Sequence, residues 1–360
     1  MLRCCRYLYI PRMVAQAKAE PLPEPSSLPP LSVIVVSHEQ CDALRQHLPS
    51  ILEQDYPRGF EVIVVDMNSK DDTADYLESL AKRYPHLHIS RTPDSARNVS
   101  PIRLALTLGI RAASHDWVVL TQADCKPVSS HWLTRLGQQC MQEGKQVVVG
   151  NTITDHFLTN WRQLFYLPYA NRHGAYTTTG TNLCYRRSLF LSHRGFADDT
   201  HLLTGAVEIM VNHHSNRSNT TICLHPDAFV RQDRPAYTGR WRRDQLFFME
   251  AQSHFHRKLM RMAWIAEILT LWVVTLSFVV AIGSEIQLFH RPRMAAGIGL
   301  FALSYYIWYS FCVHRAFRTL HLPASILFLP FLLHTAAIAD ILGWLRWCFT
   351  RKRTFHKRFI

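Results

Sequence analysis

The segment LSVIVVSHEQ (residues 31–40) predicts a buried strand, and two later segments repeat its pattern: EVIVVDMNSKDDT (residues 61–73) and DWVVLTQADCKP (residues 116–127). Each segment begins with a short apolar run rich in Val or Ile and ends in polar or acidic residues. Such runs are typical of strands that are buried on both faces of a parallel sheet. Open α/β sheets bind ligands at the carboxyl edge of their strands. We therefore predict an α/β protein with its binding residues directly after these strands.

Helical segments alternate with these strands. CDALRQHLPSILEQ (residues 41–54) and DDTADYLESLAKRY (residues 71–84) follow the first two strands, and this alternation predicts a doubly wound parallel sheet. Asp71 or Asp72 is expected to begin the second helix, because a carboxylate there accepts hydrogen bonds from unpaired backbone N–H groups.

The order and the amino-acid sequences of these segments resemble those of the family 2 glycosyltransferases. The segment DSARNVSPIRLALTLGIRAASHDWVVLTQADCKPVSSHWL (residues 94–133) is similar to a long stretch of sequence in that family. The resemblance covers roughly Leu31 to Phe255. It implies a GT-A fold, which is Rossmann-like, and an inverting transfer of a sugar from a nucleotide-diphosphate donor.

The resemblance implies that two acids at the ends of the first two strands, Glu39 and Asp66, bind the nucleoside of the donor. Carboxylates accept hydrogen bonds from base N–H groups and sugar hydroxyls. The second acid that the family has after Asp66 is replaced here by Met67. An alternative role for Asp66 is to close a turn with the residues that follow it.

For the diphosphate, the resemblance implies the DxD motif, which reads Gln122, Ala123 and Asp124 in this chain. The last acid, Asp124, is expected to bind Mg²⁺ or Mn²⁺, because a hard divalent ion held by oxygens offsets the charge on the departing phosphate. Gln122 replaces the first acid. Its amide can still hydrogen-bond the donor but adds no charge.

The resemblance implies that the catalytic base is an acid within HLLTGAVEIMVN (residues 201–212). The family has three acids in this segment, and this chain keeps only Glu208. A carboxylate can take the proton of the acceptor hydroxyl as that hydroxyl attacks the anomeric carbon. Glu208 could equally be an ordinary acid at the surface or start of a helix. Asp198 and Asp199 are the reserve candidates for the base.

For the lid over the diphosphate, the resemblance implies the segment RWRRDQLFF (residues 240–248). Trp241 keeps the family pattern, and Arg242 or Arg243 could meet the phosphates through charged hydrogen bonds. These arginines could instead anchor the domain to lipid headgroups, and the two roles are compatible.

Three departures from the family pattern fall on catalytic positions, at Gln122, at Ala206 and Val207, and at Asp244 and Gln245. They raise an alternative function: a catalytically impaired glycosyltransferase-like protein that serves as a membrane-bound binding or scaffold partner. A processive polysaccharide synthase is less favoured, because two or three membrane spans are too few to enclose a channel for the polymer.

The C-terminal part of the chain is predicted to lie in a membrane. Residues 263–283 and 294–313 are mostly apolar and long enough to cross a hydrocarbon core of about 30 Å. A third apolar segment, residues 322–347, contains Asp340 and is predicted to be interfacial or re-entrant, because a carboxylate in hydrocarbon is costly. Three full spans remain the alternative. Glu267, near the start of the first span, could lie at the membrane interface.

Charge and cysteine content indicate where the domain lies. The net charge of +13 comes largely from basic residues beside the apolar segments, which favours anionic membrane lipids over nucleic acid as the partner. The basic residues before the first span and after the third segment predict that both flanks are cytoplasmic. The nine cysteines show no paired spacing, which fits a reducing cytoplasm.

These observations divide the chain into four parts. They are a basic N-terminal segment with a Pro-rich linker (residues 1–30), the GT-A domain (31–255), the membrane region (256–348) and a basic tail (349–360). A short surface-lying helix is one possible structure for the N-terminal segment. The expected partners are a nucleotide-diphosphate sugar, a glycan or lipid-linked acceptor and membrane lipids.

Overall fold

A computed structural model describes residues 5–93, 100–178, 180–197, 202, 204–233, 238–283, 292–323 and 325–350. The strands are, in chain order, β1 (Leu31–Ser37), β2 (Phe60–Asp66), β3 (Leu87–Arg91), β4 (Trp117–Gln122), β5 (Cys125–Pro127), β6 (Val147–Gly150), β7 (Thr152–Ile153), β8 (Leu183–Arg186), β9 (Thr220–Cys223) and β10 (Val230–Gln232). The α-helices are α1 (Cys5–Ala19), α2 (Cys41–Leu52), α3 (Thr73–Ala81), α4 (Pro101–Ala112), α5 (Trp132–Cys140), α6 (Phe157–His173), α7 (Arg187–Ser192), α8 (Ala206–His214), α9 (Thr238–Ser253), α10 (Lys258–Gly283), α11 (Pro292–Thr319) and α12 (Leu329–Phe349).

The large sheet is mixed. Its strand order is β3-β2-β1-β4-β8-β6-β9, and the pairs β1–β2, β1–β4 and β2–β3 are parallel, as predicted. The predicted parallel arrangement does not extend to β8, which runs antiparallel to β4 and to β6. An apolar run indicates that a strand is buried but carries no information on its direction.

A second, small sheet has the order β5-β10-β7 and covers the carboxyl end of β4. β5 follows β4 after two residues and pairs antiparallel with β10, with Gln232 opposite Cys125. The turn between β4 and β5 contains Asp124. The small sheet therefore brings a distant segment of the chain, β10, beside the DxD-like motif.

The two faces of β1 lie in two different cores. Ile34 and Val36 belong to the core that α4, α6 and α10 cover, whereas Val33 and Val35 belong to the core under α2 and α5. Successive side chains of a strand point to opposite faces, so burial on both faces requires the continuous apolar run seen in the sequence.

Asp71 connects the starts of α2 and α3. One carboxylate oxygen accepts from the backbone N–H of Thr73 at 3.2 Å, and the other accepts from that of Cys41 at 3.1 Å. Burial by itself raises the pKa of Asp71, but these hydrogen bonds outweigh it and the pKa is lowered. The predicted role at the helix start is thus performed by Asp71, while Asp72 makes no side-chain cap.

One face of the N-terminal helix α1 packs inside the protein, because Tyr7 and Ile10 are fully buried. It packs between α6 and α11. Glu267 of α10 accepts hydrogen bonds from Arg6 at 3.2 Å, from Tyr7 at 3.1 Å and from Tyr309 at 2.8 Å. The carboxylate of Glu267 is thus enclosed by protein donors, and its position relative to a membrane interface stays a prediction.

Two helical stretches within the described residues are long and apolar enough to cross a membrane, Lys258–Ala281 and Ala296–Thr319. Only 22% and 33% of their most apolar windows are buried, so both present apolar side chains outward. They overlap the two predicted spans. The third apolar segment forms α12, which packs on α6 and α9. How these helices stand relative to a membrane stays a prediction.

Candidate active site

Asp66 and Glu39 lie in adjacent loops at the carboxyl edge of β1 and β2. Asp66 pairs with Ser37 in register and is 2% exposed. Its carboxylate accepts from the backbone N–H of Ser69 at 3.2 Å, and the Ser69 hydroxyl in turn accepts from the backbone N–H of Glu39 at 2.8 Å. Asp66 therefore does close a turn, as the alternative role required, and that turn also fixes the loop that carries Glu39.

Both loops contain a non-glycine residue in the left-handed region of backbone conformation. Glu39 has a φ of 50° and Asn68 has a φ of 54°. Such conformations are uncommon outside glycine and concentrate at functional sites. The side chains of Glu39 and Asn68 are both exposed, in the loops that follow β1 and β2.

Asp124 is 4% exposed and its carboxylate is held by Gln232. The side-chain amide of Gln232 donates to the two oxygens of Asp124 at 3.1 and 3.3 Å, and it lies 3.1 Å from the amide oxygen of Gln122. One amide thus connects both polar positions of the DxD-like motif. Sequence reasoning missed Gln232, since it belongs to β10, a hundred residues away, and no motif marks it.

His47 and Asp233 also belong to the polar cluster around Asp124. The backbone N–H of Asp233 donates to the carbonyl oxygen of Asp124 at 2.9 Å, and the Asp233 carboxylate lies 3.7 Å from Nε2 of His47. Burial lowers the pKa of His47, although Asp233 and Asp124 oppose the shift.

A cavity of about 420 Å³ begins at Gln122 and Gln232 and extends between α6, α8 and α9. Glu208 lines it, and so do Asp244 and Gln245 of the predicted lid segment. A volume in this range is that of an ordinary small-molecule site. The structure therefore brings Gln122, Glu208 and the lid segment to one cavity. Glu39, Asp66 and Asp124 lie along the sheet edge outside its lining.

Glu208 is half-buried in the first turn of α8. Gly205, the residue at the helix start, has a φ of 70°, and a Cβ there would lie 2.5 Å from the Cβ of Ala251. Gly205 thus permits both the turn into α8 and the close contact with α9. Glu208 is thus an acid in the first turn of a helix and also lines the cavity, and its role as the base stays a prediction.

Arg103 of α4 fixes the segment before α8. It is 1% exposed, and its guanidinium donates to the carbonyl oxygen of Leu202 at 2.9 Å and to that of Thr204 at 2.8 Å. Sequence reasoning did not single out Arg103. The signal available was a charged residue inside the otherwise apolar periodicity of α4.

The inner wall of the cavity is connected to α12 through an ion pair. Arg162 of α6, a lining residue, pairs with Asp340 of α12 and lies 4.4 Å from the ring centroid of Phe248. The second oxygen of Asp340 accepts from the indole N–H of Trp264 at 2.8 Å. Asp340 is thus neutralised inside the protein, which provides a reason for its presence that differs from the predicted interfacial position.

The remaining predicted residues are not found in the cavity lining of the described structure. Arg243 is exposed on α9 and does not line the cavity. The side chains of Trp241 and Arg242, and both Asp198 and Asp199, lie outside the described residues. Their roles stay predictions.

The oxygen atoms of Asp124 and Gln122 fit a metal ion whose other ligands are the phosphates of a bound substrate. Among the described residues, no cluster of three or more His, Cys, Asp or Glu could hold a metal by itself. Mg²⁺ is commonly held by one or two carboxylates together with substrate phosphates. The Asp124 carboxylate and the Gln122 amide oxygen fit that type of site.

Comparison with known proteins gives three results. Residues 32–197 match the family described as glycosyl transferase family 2. Glycosyltransferase AglE of Haloferax volcanii is 28% identical over 127 residues, which are 35% of this chain and 40% of that protein. The probable glycosyltransferase YdaM of Bacillus subtilis is 29% identical over 103 residues, which are 28% of this chain and 24% of that protein. The matched part thus spans less than half of either relative.

Among solved structures, the chain is similar to the mannosyltransferase PcManGT from Pyrobaculum calidifontis, determined in complex with GDP-Man and Mn²⁺. The TM-score is 0.57 and the identity 17%, with coverage of 97% of this chain and 96% of that chain. At this identity the likeness concerns the fold alone. It agrees with the predicted GT-A fold.

Proposed function

Because the chain carries a family 2 glycosyltransferase domain that includes residues 32–197, we propose that it transfers a sugar, with inversion, from a nucleotide-diphosphate donor to a glycan or glycolipid acceptor at a membrane. One observation carries this proposal: the edge that holds Asp66 and Asp124 opens, at Gln122, into a cavity lined by Glu208. A donor site and a base for the acceptor are thus adjacent.

On the donor side, Glu39 and Asp66 bind the nucleoside. The Asp66 carboxylate is buried and held by the Ser69 backbone, so it is preorganised to accept hydrogen bonds from the base or the ribose. Glu39 is exposed beside it. Gln122 adds a neutral hydrogen-bonding group on the other side of β1, where it pairs with Val36.

At the diphosphate, Asp124 is the protein ligand for Mg²⁺ or Mn²⁺, which supplies positive charge to the leaving group when bound. Gln232 orients the Asp124 carboxylate. The PcManGT complex contains GDP-Man and Mn²⁺, which supports testing Mn²⁺ first. Trp241 with Arg242 or Arg243 is proposed to meet the phosphates, because arginine binds phosphate oxygens through charged hydrogen bonds.

At the acceptor, Glu208 accepts the hydroxyl proton. Glu208 lies in the first turn of α8 and lines the cavity, and a carboxylate can take the proton of an attacking hydroxyl. Arg103 holds the preceding carbonyls and so fixes where that turn starts. The acceptor oxygen then attacks the anomeric carbon from the side opposite the leaving diphosphate.

The protein is proposed to be a multi-pass membrane protein with its catalytic domain in the cytoplasm. The outward apolar side chains of α10 and α11 support contact with lipid, for example Leu259 at 76% exposure and Leu300 at 66%. Basic residues, among them Arg257, Lys258 and Arg261, cluster where α10 begins. Such residues are retained on the cytoplasmic side of membrane helices.

The test of the proposed activity is turnover with a panel of nucleotide sugars. Purified full chain in detergent would be incubated with UDP- and GDP-linked sugars and Mn²⁺, and release of the nucleoside diphosphate measured with and without a membrane lipid extract as the acceptor source. We expect release with one nucleotide class, and its loss in Asp124→Asn. Release that is unchanged in Asp124→Asn would contradict the proposed donor site.

A further inference from the structure

The helix α9, which forms part of the cavity wall, is supported mainly by α12. It supplies four of the lining residues, Asp244, Gln245, Phe247 and Phe248. Its most extensive contacts within the described structure are with α12, and it also packs on α8. α12 lies outside residues 32–197, the part of the chain that matches the family. The position of this wall therefore depends on a helix that the family match does not cover.

A hydrogen bond joins the last turn of α12 to the last turn of α9. The indole N–H of Trp347 donates to one carboxylate oxygen of Glu250 at 2.6 Å. The other oxygen of Glu250 lies 3.7 Å from Nε2 of His254, just past the end of α9. A hydrogen bond to a carboxylate is roughly twice as strong as one between neutral groups. Because Trp347 is half-buried, water competes less for its N–H, and the contact holds the two helix ends together.

Gly343 allows α12 to approach α9 closely. A Cβ at this position would lie 3.8 Å from the Cβ of Gln245 and 3.8 Å from Cε of Met249. These distances are ordinary van der Waals contacts, so a methyl group fits there. A larger side chain would have to move one of the two helices, because packed interiors hold little free space. Gln245 also lines the cavity, so a shift at this contact reaches the cavity wall directly.

The contacts with α9 lie along one face of α12. Asp340, Gly343 and Trp347 share this face, because residues three or four apart in a helix are neighbours on its surface. Asp340 reaches the cavity wall through Arg162, which pairs with it and whose guanidinium lies 4.4 Å from the ring centroid of Phe248. This face of α12 thus contacts α9 at two positions and acts on it through Arg162 at a third.

α9 connects α12 to the start of α8. A Cβ on Gly205, the residue before α8, would lie 2.5 Å from the Cβ of Ala251, so α9 and the start of α8 are in close contact. Ala251 directly follows Glu250, the partner of Trp347. Glu208 is in the first turn of α8. A shift of α9 would therefore change the position of that turn as well as the shape of the cavity.

We propose that α12 positions α9 and the start of α8 for the reaction, with Trp347 and Gly343 as positioning residues. The inference rests on the proposed glycosyltransferase function and makes it depend on a helix outside the matched family region. Within the described structure, neither Trp347 nor Gly343 lines the cavity. Both therefore act on the reaction through α9 and not through contact with the substrates.

The first test removes the hydrogen bond and keeps an aromatic ring. Turnover of Trp347→Phe is measured on the full chain in detergent, with the nucleotide sugar that wild type uses. We expect kcat to fall about tenfold, because small displacements of catalytic groups are costly. Nucleotide affinity, measured by calorimetry, should change less, since Asp66 is held by Ser69 and Asp124 by Gln232, away from α9.

Two further replacements show whether the hydrogen bond itself is responsible. Trp344→Phe removes an indole N–H from the same helix at a position that is 43% exposed, and its kcat should stay near the wild-type value. Glu250→Gln keeps an oxygen that can accept from the Trp347 N–H, so it should retain more of kcat than Glu250→Leu. Equal losses of kcat in Trp347→Phe and Trp344→Phe would overturn the role of Trp347.

The second test separates positioning from stability. Gly343→Ala adds a methyl group that fits, whereas Gly343→Leu has to displace α9 or α12. Ala and Leu are both better helix formers than Gly, so neither variant lowers the intrinsic stability of α12. We expect wild-type kcat for Gly343→Ala and a roughly tenfold lower kcat for Gly343→Leu. Wild-type kcat in both Gly343→Leu and Trp347→Phe would overturn the proposal.

Hydrogen exchange gives a readout that needs no turnover. In Trp347→Phe we expect faster amide exchange in α9 and at residues 205–214, because local opening follows the loss of local contacts. α2 and α3 pack elsewhere on the sheet and should exchange as in wild type. Faster exchange throughout the chain, or no change in α9, would overturn the proposal. If wild type turns over no nucleotide sugar and Trp347→Phe still loosens α9 and α8, the positioning by α12 holds and the proposed function fails.

Discussion

Gln232 donates its side-chain amide to both carboxylate oxygens of Asp124, at 3.1 and 3.3 Å. The two residues are far apart in sequence and meet because β10 pairs with β5 directly after the DxD-like turn. The same amide reaches Gln122. Gln232 thus sets the orientation of the one acid that the DxD-like motif retains.

Replacing Gln232 should weaken the metal site without removing its ligand. In Gln232→Leu the Asp124 carboxylate loses its orienting donor, and we expect the affinity for Mn²⁺ with nucleotide to fall roughly 10- to 100-fold, as for other residues that orient metal ligands. Calorimetry with UDP or GDP at fixed Mn²⁺ measures this. Gln54→Leu, which removes a buried amide at the far end of α2, should leave the affinity near the wild-type value. Equal losses in both variants would contradict the role of Gln232.

Replacing Glu208 should slow the chemical step alone. Glu208→Gln keeps the shape but cannot take the acceptor proton, and we expect kcat to fall by a factor of about 10² to 10⁴ while the Kd for the donor nucleotide stays unchanged. Glu143→Gln, at an exposed position, is the control. If Glu208→Gln keeps wild-type kcat, Glu208 is only the acid at the start of α8, and the base lies elsewhere.

Arg103 should act on catalysis through the position of α8. Arg103→Lys keeps a charge, but one ammonium cannot reproduce the planar fork that meets the carbonyls of Leu202 and Thr204. We expect kcat to fall roughly tenfold, since small displacements of catalytic groups are costly, with little change in nucleotide affinity. Steady-state kinetics and a nucleotide titration check this together.

Arg187 supplies the matched control for that experiment. Its guanidinium also donates to two backbone carbonyls, those of Ile110 and Arg111, at 3.0 and 3.2 Å, but it does not line the cavity. Arg187→Lys should lower stability slightly and leave kcat unchanged. A similar decrease of kcat in both variants would show that Arg103 matters only for folding.

Breaking the ion pair between Arg162 and Asp340 should destabilise the protein. Asp340→Asn leaves the Arg162 guanidinium buried without its counter-charge, which typically costs about 3–5 kcal/mol, and the melting temperature should drop accordingly. Glu78→Gln, in the exposed pair with Arg91, should change stability by less than about 1 kcal/mol. A double replacement of Arg162 and Asp340 by Leu should recover most of the loss. Wild-type stability of Asp340→Asn would contradict the coupling of α12 to the catalytic domain.

The local fold was predictable where a single segment carries the signal. The apolar runs of β1, β2 and β4 required burial on both faces, and Asp71 marked the start of a helix. The direction of β8 was not predictable, since pairing with β4 and β6 depends on contacts between distant segments. The same holds for α1, because nothing in its own sequence indicates that Tyr7 hydrogen-bonds Trp161 and Tyr309.

The candidate site divides in the same way. Asp66, Asp124 and Glu208 follow strands or begin helices, and the resemblance to a family pointed to each of them. Gln232, Arg103 and Asp340 have no local signature, because they act through partners that lie between about a hundred and two hundred residues away in the sequence. Only the tertiary structure brings these pairs together.

The most direct test of the central claim is calorimetric binding of UDP and GDP to the detergent-purified chain, with and without Mn²⁺, for wild type and Asp124→Asn. We predict that one nucleotide binds only with Mn²⁺ and that Asp124→Asn abolishes this binding. If neither nucleotide binds to a well-folded wild-type sample, the donor site is not functional, and the chain is a glycosyltransferase-like binding or scaffold protein instead.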